Sequence, residues 1–269
     1  MKRLRPLAVP ELTAVARKVL VEYEAPELEQ VLASLGMTGV DGEFKNLIFA
    51  ANGPKPEIVL RDAVNNRLDI VRNDEYCLTY ARPLRAAGLS WAELVSWWQE
   101  TNPAVPGDQA AASRDLCERL AASLASPPER VLFDTYAALY FREGGAALPA
   151  LIPQVYLHYD PYTAKARATP GPLARQRMDF LLLLPHRVRV VLEVDGQPHY
   201  SVNGRANPEL YAQMVSEDRH LKLSGYDVYR FGGHEFDQSD GPRVVAGFFR
   251  ELFGRFNIPP PPSVPASSS

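Results

Sequence analysis

Glu193 and Asp195 close the apolar run VVLEVDG, residues 190–196, and His199 follows within QPHY. Val190, Val191, Leu192 and Val194 are strand formers, and an ionised carboxylate is costly in a buried strand. Side chains two apart on a strand share a face, so Glu193 and Asp195 project together with α-carbons roughly 7 Å apart. Val194 points the other way. Asp179 interrupts a second apolar run, RMDFLLLLP, residues 177–185. If PHR at 185–187 is a tight connection, the two runs pair antiparallel, and Asp179 and Glu193 stand equally far from it. One class of register then sets them side by side. Carboxylates gathered this way repel and lose hydration, and a divalent cation is the natural counter-charge. Oxygen-only ligands select Mg²⁺ or Mn²⁺ over zinc. Such an ion activates water and polarises a phosphoryl oxygen. The competing reading makes Asp195-Gly196 a turn and Glu193 a salt-bridge partner on a half-exposed strand.

Other residues supply what such chemistry needs. Between Lys165 and Arg189 the chain carries Lys165, Arg167, Arg175, Arg177, Arg187 and Arg189 against Asp179 alone. That is a phosphate-facing patch or, as readily, a solvated strand edge. His199 is a candidate for proton transfer or phosphate contact. Asp218 and Lys222 form an i,i+4 pair, read for Asp218 as an ion pair, and Arg219 beside them is placed to reach a nucleic-acid phosphate.

The positioning elements can be read from punctuation. Ser126 and Pro127-Pro128 open a helix through about Arg142, burying Leu132, Phe133, Tyr136, Leu139 and Tyr140. LIPQVYLHY (151–159) and the two acidic runs read as three strands, the latter two covered on both faces. Asn207-Pro208-Glu209 starts a second helix, Gly225 stops it, and YDVYRFGG is a last strand. Strand, helix, strand over 187–231 is a crossover, which makes that strand parallel to the one bearing Glu193. The class is α/β in the α+β sense: helix, three strands, helix, strand.

Residues 1–110 read as a mainly helical region, with helical stretches over 11–34 and a helix capped by Ser90. Trp91, Leu94, Val95 and Trp98 fall on one stripe of that helix, and Trp97 breaks it. Core packing is the favoured reading of the tryptophans, with a partner surface second. EIVLRDAVNN is ambiguous between helix and strand. TNPAVPGDQ (101–109) reads as a linker, which gives domains at 1–110 and 111–257 and a disordered tail at 258–269. A net charge of −3 excludes a protein that coats nucleic acid by bulk electrostatics. No run approaches the roughly 20 apolar residues of a membrane helix. Cys77 and Cys117 form no disulfide framework or metal spacing, and a cytoplasmic home is expected.

The stretches MDFLLLL, VVLEVDGQPHY and DRHLKLSGYDVYRF together resemble the PD-(D/E)XK nuclease superfamily, in its branch related to very-short-patch-repair endonucleases. The resemblance covers roughly residues 126–236. It implies a restriction-endonuclease-like core and a metal-dependent endonuclease acting on nucleic acid, DNA favoured over RNA. It also implies that Asp179 and Glu193 bind Mg²⁺ or Mn²⁺, with the Val194 carbonyl as a third ligand. Glu129 matches a position that donates an extra acid, and Gln154 matches a strand glutamine of this branch. Asp195 stands where many members carry lysine, and His199, Lys222 or Gln197 are the candidates to replace its function. FAANGPKPEIVLRDAVNN and CLTYARPLRAAGLSWAELVSWWQ resemble modules of abortive-infection and phage-defence proteins. They imply a sensor, an activating partner or a homodimer contact. Two other classes stay open: a degenerate nuclease fold that binds nucleic acid uncut, and an interaction scaffold built on the tryptophan helix.

Overall fold

The computed structural model describes residues 47–62, 67–82, 84, 87–104, 107–140, 145–156, 177–196, 201–202, 205–236 and 240–259. The expected helices within 11–34, the C-terminal tail beyond 259, and Arg175, Gln197 and His199 lie outside them.

The central sheet has four strands: β5 (Ile152–Tyr156), β6 (Arg177–Leu183), β7 (Arg189–Asp195) and β10 (Tyr226–Gly232). They are ordered β10-β7-β6-β5. β6 pairs antiparallel with both β5 and β7, and β10 runs parallel to β7. The turn between β6 and β7 is closed by the Leu184 N–H, which donates to the Val188 carbonyl at 2.9 Å. Phe180 to Leu183 and Val190 to Leu192 are all buried, as central strands covered on both faces require.

Three helices and the sheet share one aromatic core. On α3 (Pro127–Tyr140), Phe133 stacks on Phe180 of β6 at 6.5 Å. Tyr136 meets Phe249 of α5 (Gly241–Arg255) at 4.5 Å and donates its hydroxyl to the Pro149 carbonyl. Trp91 of α1 (Trp91–Thr101) meets Phe133 edge-on at 6.4 Å. Helix α4 (Pro208–Leu223) has no fully buried residue and packs against β10. It is capped by Asn207, as its sequence requires, and ends at Ser224 with Gly225 in the left-handed region at φ 84°. Between β7 and α4 lie the two-residue strands β8 (Ser201–Val202) and β9 (Arg205–Ala206). The order helix, three strands, helix, strand is present, and the chain is a mixed α/β protein. Among the described residues no helix is long and apolar enough to cross a membrane.

The segment before α3 departs from expectation. Described residues 47–104 carry four strands and one α-helix rather than a mainly helical array. β1 (Leu47–Phe49) pairs with β4 (Leu78–Tyr80), and β2 (Glu57–Asp62) forms a hairpin with β3 (Arg67–Arg72). EIVLRDAVNN therefore contributes a strand, in keeping with its β-branched content.

The Ser90 cap is present as a reciprocal box with Glu93. Trp97, off the helical stripe, is buried all the same: α1 lies between two partners, and Trp97 packs on Phe49 and Tyr80 at 5.8 and 5.4 Å. All three tryptophans are buried, which leaves the interaction-scaffold reading without its surface.

Nor does the stretch at 101–109 separate one core from another. Trp98 donates to Asp115 of α2 (Gln109–Ala121) at 2.7 Å, and one hydrophobic cluster runs from Leu47 to Ile258. Backbone bonds join the same regions: Ala50 N–H to the Pro153 carbonyl, and Leu89 N–H to the Leu183 carbonyl. Gly88 sits at φ 84°, where a β-carbon would fall 2.2 Å from the Leu183 carbonyl oxygen, so glycine alone permits this approach.

Candidate active site

The β6–β7 register sets Leu181 opposite Val191 and Phe180 opposite Leu192. Continued one step, it sets Asp179 opposite Glu193. Alternation puts Asp179 with Leu181 and puts Glu193 and Asp195 with Val191, so all three carboxylates occupy one side of the sheet. The ladder itself stops at Phe180. Beyond it the Val194 N–H donates to Asp179 Oδ2 at 2.8 Å, so a carboxylate takes the place of a main-chain acceptor and the strands diverge there. The Val194 side chain is buried on the opposite face.

Gln154 of β5 falls between the pairs Pro153–Phe180 and Val155–Met178, level with Asp179 but out of the ladder. Its φ is 52°, a left-handed conformation that costs a non-glycine residue about 1 to 3 kcal/mol. Fully buried, Gln154 donates through Nε2 to Glu129 Oε2 at 2.7 Å, while its Oε1 has no hydrogen-bond partner among the described residues.

Glu129 is buried in the first turn of α3. Its carboxylate also accepts from the Ala125 N–H at 3.0 Å and the Ser126 hydroxyl at 2.8 Å. Burial raises the Glu129 pKa, the Ala125 N–H pulls it back, and the Asp179 charge raises it further. A carboxyl raised in the folded state favours folding below the ordinary glutamate range, and that contribution is lost as pH climbs through the raised value. Glu129→Gln is therefore expected to match the wild type in urea midpoint near pH 4 and to exceed it at pH 8. A wild-type advantage at pH 8 would mean that the three donors outweigh burial.

Asp195 has a different occupation. Arg230 of β10, in register with Glu193, turns Nη1 onto both Asp195 oxygens at 2.9 and 3.0 Å. Its Nε donates to Asp218 of α4 at 2.7 Å. Burial alone would lower the Arg230 pKa, but Asp195, Asp218 and Glu193 more than offset it and hold the guanidinium charged.

Lys222 stands 3.8 Å from the other Asp218 oxygen with its side chain 57% exposed, so both Asp218 and Arg230 lie between it and Asp195. Arg219 is exposed on α4, and Arg177 begins β6 beside Tyr156. Both cysteines are buried, and burial pushes Cys77 up to about 11 and Cys117 up to about 12, so neither offers a thiolate.

The structure thus puts Asp179, Glu193 and Asp195 on one side of the sheet at one end of β6 and β7, sets Gln154 level with Asp179 and bonded to Glu129, and links Asp195 through Arg230 to Asp218. Sequence reasoning passed over Arg230. Its signal was a single arginine amid VYRF, whose parity matters only once β10 is aligned with β7.

Among the described residues, no three His, Cys, Asp or Glu side chains stand together as a metal-binding group. Arg230 engages Asp195, and the start of α3 engages Glu129. Asp179 and Glu193 remain as ligand candidates. Their oxygen chemistry fits Mg²⁺, which is commonly held by one or two carboxylates with water and substrate phosphate completing its shell. No family model, no curated protein and no solved structure matches the chain.

Proposed function

We propose that the chain is a Mg²⁺-dependent nuclease that hydrolyses phosphodiester bonds in nucleic acid, DNA by preference. It would work on a PD-(D/E)XK core of the restriction-endonuclease kind, in cytoplasmic phage defence. The observation that carries this reading is Glu193, a carboxylate only 1% exposed at the end of an apolar strand, in a register that continues to Asp179. Burying one acid costs several kcal/mol unless it is compensated, and a second acid nearby raises that cost. Arg230 offsets part of the Glu193 charge, and a bound cation would offset the pair further.

In this reading Asp179 and Glu193 hold the ion. The Val194 N–H fixes the Asp179 carboxylate from one side, so its rotamer is set before substrate arrives. Gln154, level with Asp179 on β5, is itself held by Glu129. The bound ion would supply an activated water and a polarised phosphoryl oxygen. In the reaction the water oxygen bonds to phosphorus as the ester P–O bond breaks, and a proton ends on the leaving oxygen.

Supercoiled plasmid incubated with the full chain and Mg²⁺ is expected to be nicked or linearised, and Asp179→Asn to lower the rate by at least about 100-fold. Equal rates for the two proteins would sink the proposal. A plasmid bound tightly but left whole by wild type, with no Mn²⁺ uptake, would favour the binding module instead.

A further inference from the structure

Resting on that reading, we infer that Arg230 is the phosphate-contacting cation of this site and that Asp195 and Asp218 are the positioning residues that aim it. Among the described residues the cluster includes the carboxylates of Asp179, Glu193, Asp195 and Asp218, with Glu129 beyond Gln154. Arg230 is a cation set against two of them, its side chain 16% exposed. Its stem starts level with Glu193, and the guanidinium is fixed from two directions, by a strand carboxylate on Nη1 and a helix carboxylate on Nε.

That leaves Nη2. Its two N–H groups make no hydrogen bond among the described residues, and Nη2 is not among the buried polar atoms lacking a partner, so it reaches solvent at the carboxylate end of the sheet. A guanidinium locked by two acids, with one arm open, is a preorganised donor to a phosphate oxygen. Arginine keeps its proton at any working pH, so it serves here as fixed charge and not as a base. Lys222, largely in solvent beyond Asp218, has no such fixing.

Asp195 thereby acquires a function without being a metal ligand. It neutralises some of the Arg230 charge and holds the plane of the guanidinium. A strand-borne arginine also places its charge beside the scissile phosphate from the flank opposite β5.

The test uses the full chain and a fluorescein-labelled 20-base-pair DNA duplex, with Ca²⁺ in place of Mg²⁺ so that binding is read without cutting. Arg230→Gln is expected to reduce the slope of log affinity against log salt by about one, the signature of one lost phosphate contact. With Mg²⁺ and plasmid, its single-turnover rate is expected to fall about 100- to 1,000-fold. Mn²⁺ affinity, titrated without DNA, should stay within about 3-fold of wild type or tighten, because a positive charge has left the site.

The single substitution removes Arg230 from both Asp195 and Asp218. The neutral pair Asp195→Asn/Arg230→Gln, which keeps both shapes, therefore repeats each measurement if the single variant does not fold. Arg230→Lys should keep the slope and recover only a fraction of the rate. An unchanged slope and rate in a folded Arg230→Gln or double variant overturns the assignment while leaving the nuclease intact. A lowered slope in a protein that neither cuts nor takes up Mn²⁺ keeps the assignment and removes the nuclease. Wild type with no measurable affinity at 50 mM salt removes both.

Discussion

Glu193→Gln is expected to melt about 2–6 °C above the wild type in metal-free buffer and to lose plasmid cleavage by at least about 1,000-fold. Glu193 lies between Leu192 and Val194 on a strand with almost no solvent access, facing the same side as Asp179 and Asp195. The amide keeps the volume and removes one of the negative charges, those of Glu193, Asp195 and Asp218, that act on Arg230. Arg230 still holds Asp195 and Asp218 after the change. Relief of this kind is worth about 1–2 kcal/mol, the scale on which a buried charge is traded for a neutral side chain of equal size.

Magnesium should reverse the order. A ligand at 100 times its dissociation constant adds about 2.7 kcal/mol to the state that binds it, so wild type should rise with Mg²⁺ while Glu193→Gln stays still. Differential scanning fluorimetry with and without Mg²⁺ checks both halves. A variant that melts lower than wild type and still rises with Mg²⁺ would show that Glu193 is a structural ion-pair partner.

Much of this arrangement can be read from residues because it depends on local rules. The PHR connection fixes the β6–β7 pairing, and two-residue alternation then fixes the face of Asp179 relative to Glu193. Ser126, Pro127 and Asn207 announce helix starts, and Gly225 announces a stop.

What escapes is long-range or exceptional. The bond of Asp195 to Arg230 spans 35 residues and requires the parallel register of β10 on β7, which no local signal sets. Without it, Asp195 looks like one more ligand. The left-handed turn of Gln154 violates strand preference, and only the surrounding packing enforces it. Trp97 looks misplaced on a one-sided helix because its partners, Phe49 and Tyr80, come from strands that lie outside any helical pattern. Glu129 looks like a ligand donor, yet as the third residue of its helix it is engaged by the start of the helix itself.

The largest stability effect should follow from removing everything before α2. A fragment of residues 109–259, cut where composition suggests a linker, is expected to be an unfolded or molten chain under conditions in which the full chain melts cooperatively. Trp91, Leu94, Val95, Leu89 and Phe49 belong to the same cluster as Leu116, Phe133, Tyr136 and Phe180. Each large side chain lost from such a core forfeits about 1.5–3 kcal/mol of burial, so five of them exceed much of the 5–15 kcal/mol that holds a typical domain together. Backbone partners go with them. The Leu183 carbonyl at the end of β6 loses Leu89, Leu148 loses Trp91, and Pro153 on the β5 edge loses Ala50. The strand that carries Asp179 would thus lose its support at Leu183, four residues from the carboxylate. Amide-exchange protection and the proton chemical-shift dispersion of the fragment decide the matter. A dispersed spectrum, a cooperative melt and Mn²⁺ uptake equal to that of the full chain would restore the boundary near residue 110. Their absence would make residues 47–104 an integral piece of the scaffold that holds the carboxylates in place.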